Sequence, residues 1–164
     1  MKEKISFIGL GKLGLPLSSL FAYNGVPVLG IDTNEKLIET LQDNMFTPFF
    51  EKNLGGLLDD AYGNIEYTTS YDGVMDETDV SVILVNTQIG DSYSSEVVEN
   101  VIKDLCAELV KSSKRYHLFI LSSTVMPGET RNKLIPMIEE LTDRELNKGF
   151  GFSYVPDIVK LGSV

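Results

Sequence analysis

The chain has 164 residues, 43% of them hydrophobic, with 14 Lys and Arg against 24 Asp and Glu and a net charge of −10 at neutral pH. That length supports one folded domain with a buried core, and the acidic balance excludes a nucleic-acid backbone as a favoured partner, because such binding depends on Lys and Arg displacing counterions. A single cysteine, Cys106, and a single histidine, His117, exclude an internal disulfide and a thiolate metal cluster.

The first residues, Met1-Lys2-Glu3-Lys4-Ile5, run directly into a strand pattern rather than a signal peptide, and no stretch approaches the roughly 18 apolar residues of a membrane span. The expected setting is the cytoplasm, with no membrane partner. Buried strands are predicted at Ile5 to Leu10, Val26 to Ile31, Val80 to Val85 and Leu118 to Leu121, with a weaker one at Ile65 to Tyr67 and a last one at Phe150 to Tyr154. A first helix carries Leu13, Leu17, Leu20 and Phe21 on one face, and a second carries Leu37, Ile38 and Leu41 behind a cap in Asp32-Thr33-Asn34. The span from Asn44 to Gly56 reads as a loop that turns into a short helix around Leu57 and Leu58. From Ser94 or Ser95 to Val110, the positions Val97, Val98, Val101, Ile102, Leu105, Cys106 and Leu109 form a broad apolar stripe. Strand runs alternating with helical segments predict an α/β fold, a Rossmann-like doubly wound parallel sheet with helices on both faces.

Between the first strand and the first helix, Gly9-Leu10-Gly11-Lys12-Leu13-Gly14 spells Gly-x-Gly-x-x-Gly. Gly9 allows a tight turn, Gly11 lets a pyrophosphate approach the backbone, and Gly14 lets the helix pack closely on the strand. The anion would rest on free N–H groups at the positive end of the helix dipole. Lys12 either approaches a phosphate or points to solvent from the first helical turn. Asp32 ends the second strand run, where a carboxylate accepts hydrogen bonds from an adenosine ribose and repels a 2′-phosphate, and Thr33-Asn34-Glu35 offers no arginine to receive one. The pattern therefore predicts a site for NAD in preference to NADP. The bland alternatives are an ordinary glycine turn and a helix cap.

The same residues carry a resemblance. Gly9 to Pro16, Ile31 to Leu37, Pro48 to Leu54 with Glu51, Ser123-Thr124-Val125-Met126-Pro127-Gly128 and Tyr154-Val155-Pro156-Asp157 together resemble the N-terminal domain of the UDP-glucose/GDP-mannose dehydrogenase family, which includes the UDP-N-acetylmannosamine dehydrogenases. The resemblance implies oxidation of a nucleotide sugar's primary alcohol to a carboxylate with two NAD, through a covalent intermediate on a cysteine of a later domain. It implies that residues 1–164 are the NAD-binding domain alone, that this domain by itself binds NAD without turnover, and that the full-length protein is a homodimer through a central helix further on. It assigns Thr124 and Asp157 as catalytic candidates, with Thr124 helping to position a water. The candidate cofactor-binding positions are Gly9, Gly11, Lys12, Leu13, Gly14, Asp32, Thr87 and Thr124.

Several departures stand out against the family pattern. Asn86-Thr87-Gln88-Ile89 replaces the usual Pro-Thr-Pro run, Asp157 stands where a glutamate is usual, and Leu161 stands where an acid usually precedes the glycine. Two other readings remain open: the cofactor domain of a β-hydroxyacid dehydrogenase of the 6-phosphogluconate type, whose start also has Gly-Leu-Gly-x-x-Gly before a proline, and a stand-alone NAD-sensing module. Cys106, in the apolar stripe, is expected to be an inert core thiol, and His117 to be structural or exposed.

Overall fold

The computed structural model describes residues 3–45, 52–90 and 92–156. In chain order the elements are β1 (Ile5–Ile8), α1 (Gly14–Tyr23), β2 (Val28–Ile31), α2 (Glu35–Gln42), α3 (Leu54–Ala61), β3 (Ile65–Thr68), α4 (Val74–Glu77) and β4 (Val80–Ile83). There follow a small hairpin, β5 (Gln88–Ile89) and β6 (Ser92–Tyr93), then α5 (Glu96–Lys111) and β7 (Leu118–Leu121). A π-helical turn (Thr130–Leu134) leads into α6 (Ile135–Thr142), and β8 (Gly151–Tyr154) closes the series. Six strands form one sheet in the order β3-β2-β1-β4-β7-β8, and every neighbouring pair is parallel. The order reverses between β1 and β4, so the loops leaving their carboxyl ends diverge and open a crevice there.

Both faces of the sheet are covered, as the near-continuous apolar strands require. Alternate residues of each strand feed two cores. Phe7, Val28 and Val82 pack with Leu15, Ala22, Ile38, Leu41, Leu54 and Leu58 from α1, α2 and α3. Ile8, Ile31, Ile83, Phe119 and Leu121 pack with Met75, Ile102, Leu105 and Ile138 from α4, α5 and α6. Cys106 belongs to this second core, where burial pushes its thiol up to about 12, so it is inert as expected.

Three local expectations need correction. The buried face of α1 is Gly14, Leu15, Ser18, Ser19 and Ala22, whereas Leu13, Leu20 and Phe21 are exposed. Apart from Leu15 the inward residues are small, which lets the helix lie near the sheet, and the hydroxyls of Ser18 and Ser19 are satisfied by donating to the Leu15 carbonyl at 3.0 and 2.7 Å. Phe21 still meets the edge of Phe7, with ring centroids 5.4 Å apart. In α5, Val97 is exposed while the rest of the expected stripe is buried. β1 and β4 are also shorter than their apolar runs, because Leu10, Leu84 and Val85 already belong to the turns that leave the sheet, and β2 starts only at Val28, since the Val26 N–H donates back to the Phe21 carbonyl of α1 at 3.1 Å. Asn34, at the expected cap of α2, accepts from the Leu37 N–H at 3.2 Å.

The hairpin β5–β6 and helix α6 carry no clear sequence signal. Pro136 falls in the first turn of α6, and the preceding π-helical turn provides a wider path into a residue that has no N–H to donate.

His117 is fully buried, which fits the structural alternative and not the exposed one. It contributes to a polar thread from β1 through β4 to the residue before β7, in which Ser6 Oγ and Ser81 Oγ are 2.7 Å apart and Ser81 Oγ lies 2.9 Å from His117 Nε2. Burial, reinforced by the positive charge of Lys114, lowers its pKa to about 4 and keeps the ring neutral. A folded-state value below the unfolded 6.5 makes the contribution complete above pH 6.5 and progressively lost as pH falls toward 4. Urea unfolding at pH 7 and pH 4 should show the wild-type chain losing up to about 3 kcal/mol more than a His117→Gln variant over that interval. Equal losses in the two proteins would contradict a buried neutral imidazole.

Candidate functional site

The glycine turn is shaped by contacts that leave no room for side chains. Gly9 has φ +94°, and a Cβ there would lie 2.5 Å from the Leu84 carbonyl oxygen. A Cβ on Gly14 would lie 1.8 Å from the Gly9 carbonyl oxygen, so α1 starts in direct contact with the end of β1. Gly11 differs, because the space around its missing Cβ is open. No side chain caps α1 at Leu13; within its first turn the Leu15 N–H donates to the Gly11 carbonyl at 3.1 Å, the Leu17 N–H donates to the Leu13 carbonyl at 3.1 Å, and Pro16 has no N–H.

Asp32, half-buried at the end of β2, ties this turn to the next one. Its Oδ2 accepts from the Leu10 N–H at 2.7 Å and its Oδ1 from the Asn34 N–H at 2.9 Å. The carboxylate is thus held in one orientation at the carboxyl edge of the sheet, with lone pairs to spare for further donors. Asp32 is not the α2 cap, since Asn34 performs that role. Burial, joined by the charges of Asp104 and Asp32, pushes the neighbouring Tyr71 phenol up to about 12.

At the crevice between β1 and β4, a cleft of about 730 Å³ is bordered by three segments. The glycine turn contributes Gly11, Lys12 and Leu13, the stretch after β4 contributes Thr87, and the stretch after β7 contributes Thr124. Five of the sequence-predicted positions therefore share one cleft. Gly9 and Gly14 lie behind it in the turn, Asp32 is joined to it through Leu10, and Asp157 lies outside the described residues. Lys12 is exposed and, among the described residues, is the one cationic side chain in the cleft wall.

Sequence reasoning missed the residues that shape the two outer walls. Asn86 folds the chain after β4 by accepting from the Gln88 N–H at 3.1 Å and donating to the Gln88 carbonyl at 2.8 Å. This side-chain clasp constrains Thr87 where the resembling family uses prolines. Ser123, buried, donates to the Val85 carbonyl at 2.8 Å and so joins the walls at their base. Further out, Met126-Pro127-Gly128-Glu129 forms a tight turn: the Glu129 N–H donates to the Met126 carbonyl at 3.1 Å and Gly128 has φ +90°. Proline second and a positive-φ glycine third are the signature of a type II turn. That signal was present in the sequence.

A parallel sheet with this strand order, a glycine turn without side-chain cover and a cleft at the reversal point define a Rossmann-type dinucleotide-binding domain. The sequence model of the UDP-glucose/GDP-mannose dehydrogenase family, NAD binding domain, matches residues 3–164. The chain belongs to that family and corresponds to its NAD-binding domain. It is 28% identical over 162 residues to a GDP-mannose 6-dehydrogenase of Pseudomonas putida, an alignment that covers 96% of this chain and 36% of the relative. It is 27% identical to a UDP-glucose 6-dehydrogenase of Haloferax volcanii, covering 98% of this chain and 37% of that protein. Among solved structures, a ternary complex of GDP-mannose dehydrogenase from Pseudomonas aeruginosa superimposes with a TM-score of 0.87 at 25% identity, over 96% of this chain and 36% of that one. The chain spans a little over a third of these relatives' length.

The last and the middle glycine of the turn should respond differently to a methyl group. Gly14→Ala forces Cβ into a backbone carbonyl, and thermal or urea unfolding should show a loss of at least about 3 kcal/mol or no folded protein. Gly11→Ala should unfold within about 0.5 kcal/mol of the parent, since its Cβ enters open space. A Gly14→Ala protein as stable as the parent would refute the close contact of α1 with β1.

Proposed function

We propose that this chain is the cofactor-holding part of an NAD-dependent nucleotide-sugar 6-dehydrogenase, which oxidises a sugar 6-hydroxyl to a carboxylate with two NAD per substrate. The observation that carries the reading is the glycine turn joined to Asp32 through the 2.7 Å bond from Leu10 N–H, beside a cleft lined by Thr87 and Thr124. The fit to the cofactor rests on this chain's own atoms. The open space at Gly11 admits a pyrophosphate close to the backbone, at the positive end of the α1 dipole. Lys12 adds a positive charge at the same edge.

Asp32 keeps acceptor capacity for the adenosine ribose hydroxyls, and its negative charge disfavours a 2′-phosphate there. Thr87 and Thr124 project from the two outer walls and orient the nicotinamide end. The bound cofactor supplies the hydride acceptor for alcohol oxidation. Thr124, by its place in the cleft, is the group of this chain positioned to hold a water for the second oxidation.

The relatives named for GDP-mannose and UDP-glucose support a nucleotide sugar as substrate and favour this reading over a β-hydroxyacid dehydrogenase or a stand-alone sensor. Because the chain spans only about a third of them, sugar binding, the cysteine chemistry and a homodimeric assembly belong to the longer protein in this reading. The 164-residue chain alone binds NAD without turning over a nucleotide sugar.

Calorimetric titration tests the cofactor assignment. NAD should bind saturably and at least about tenfold more tightly than NADP, and Asp32→Asn should weaken NAD by about tenfold while narrowing the gap to NADP, because a charged acceptor is lost. Failure of the wild-type chain to bind NAD, or equal affinity for both dinucleotides, would overturn the corresponding part of the proposal.

A further inference from the structure

The two outer walls of the cleft are joined a second time, at its mouth, by residues that do not line it. Tyr93 sits on β6 opposite Gln88 of β5, and the next residue, Ser94, donates its N–H to the Thr87 carbonyl at 2.9 Å. The Tyr93 hydroxyl donates to the Glu129 carboxylate. The same carboxylate oxygen, Oε2, accepts from the Met126 N–H at 2.8 Å, and that N–H also lies 3.3 Å from the Tyr93 oxygen. Met126 is two residues from Thr124. A continuous path of short bonds thus runs from Thr87, through the hairpin, Tyr93 and Glu129, to the loop that carries Thr124.

We propose that Tyr93 and Glu129 are positioning residues for this cleft: together they clamp the 124–129 loop to the β5–β6 hairpin and set the separation of Thr87 from Thr124. The clamp rests on the reading of the cleft as the NAD site. It needs an acceptor at Glu129 that takes two donors at once, and the carboxylate does so. Burial opposes ionisation of Glu129, yet the hydrogen bonds from Tyr93 and the Met126 amide, aided by Lys133, hold it below the usual carboxylate range. Lys133 is itself fixed by Glu99 at 2.7 Å and Ser95 at 3.2 Å, which anchors the loop side to the start of α5. The Met126-to-Glu129 turn brings the carboxylate back over the Met126 N–H, so the loop end of the clamp is built into the backbone.

Glu129→Ala, Glu129→Gln and Tyr93→Phe would be compared with the wild-type chain by NAD calorimetry, thermal unfolding and two-dimensional amide spectra without ligand. Glu129→Ala should weaken NAD binding by about tenfold and shift the amide signals of both Thr87 and Thr124, as expected for loss of a charge-assisted bond. Glu129→Gln, which retains a carbonyl acceptor, should restore affinity to within about threefold, and Tyr93→Phe should fall between the two. An unfolding midpoint lowered equally in the Ala and Gln variants, with NAD affinity unchanged in both, would mean a merely structural contact and overturn the proposal. Unmoved Thr87 and Thr124 signals in Glu129→Ala would overturn it as well. If the wild-type chain fails to bind NAD, the cofactor reading falls, and the amide shifts alone still decide whether the clamp couples the two walls.

Discussion

The contact between Gly14 and the Gly9 carbonyl is the constraint on which the rest of the molecule depends. An ideal Cβ would sit 1.8 Å from that oxygen, so only a bare Cα lets α1 begin where β1 ends. The close approach of α1 is accompanied by small residues, Ser18, Ser19 and Ala22, beside Leu15 on its buried face. Its positive end then points at the crevice between β1 and β4. Gly9 adds the second half of the constraint by letting the turn touch Leu84 beyond β4, so one turn locks the two strands that flank the reversal.

Charge is distributed so that a strongly acidic chain still accommodates an anion. The net charge of −10 would repel a dinucleotide if spread evenly over its binding surface. The wall of the cleft, however, contains Lys12 and no carboxylate, while Asp32 stands back from it and is tied to the Leu10 and Asn34 amides. The acids elsewhere on the surface, at a Debye length or more, are largely screened.

The sheet is legible in the sequence because parallel strands buried on both faces are apolar along their whole length, and the runs from Ile5 and Val80 announce themselves without periodicity. The glycine turn and Asp32 are legible for a different reason: each position is forced by sterics or charge, not by average propensity. The buried face of α1 is not, since a helix packed through Gly, Ser and Ala hides its inward side behind a hydrophobic pattern that points elsewhere. The hairpin is equally hidden, because two residues in each strand are too few to show an alternating pattern. The walls of the site escaped because Asn86 and Ser123 work through hydrogen bonds to backbone carbonyls, and a polar residue beside a strand end gives no sign of which carbonyl it will reach.

Asn86 shows how a departure from a family pattern can preserve its physical content. Proline rigidifies a loop by restricting φ and removing conformers from the unfolded chain, whereas an asparagine that bonds both the N–H and the carbonyl of Gln88 reaches a similar restriction in the folded state only. The substitution therefore keeps Thr87 in place while leaving the loop free to accept the short hairpin that follows.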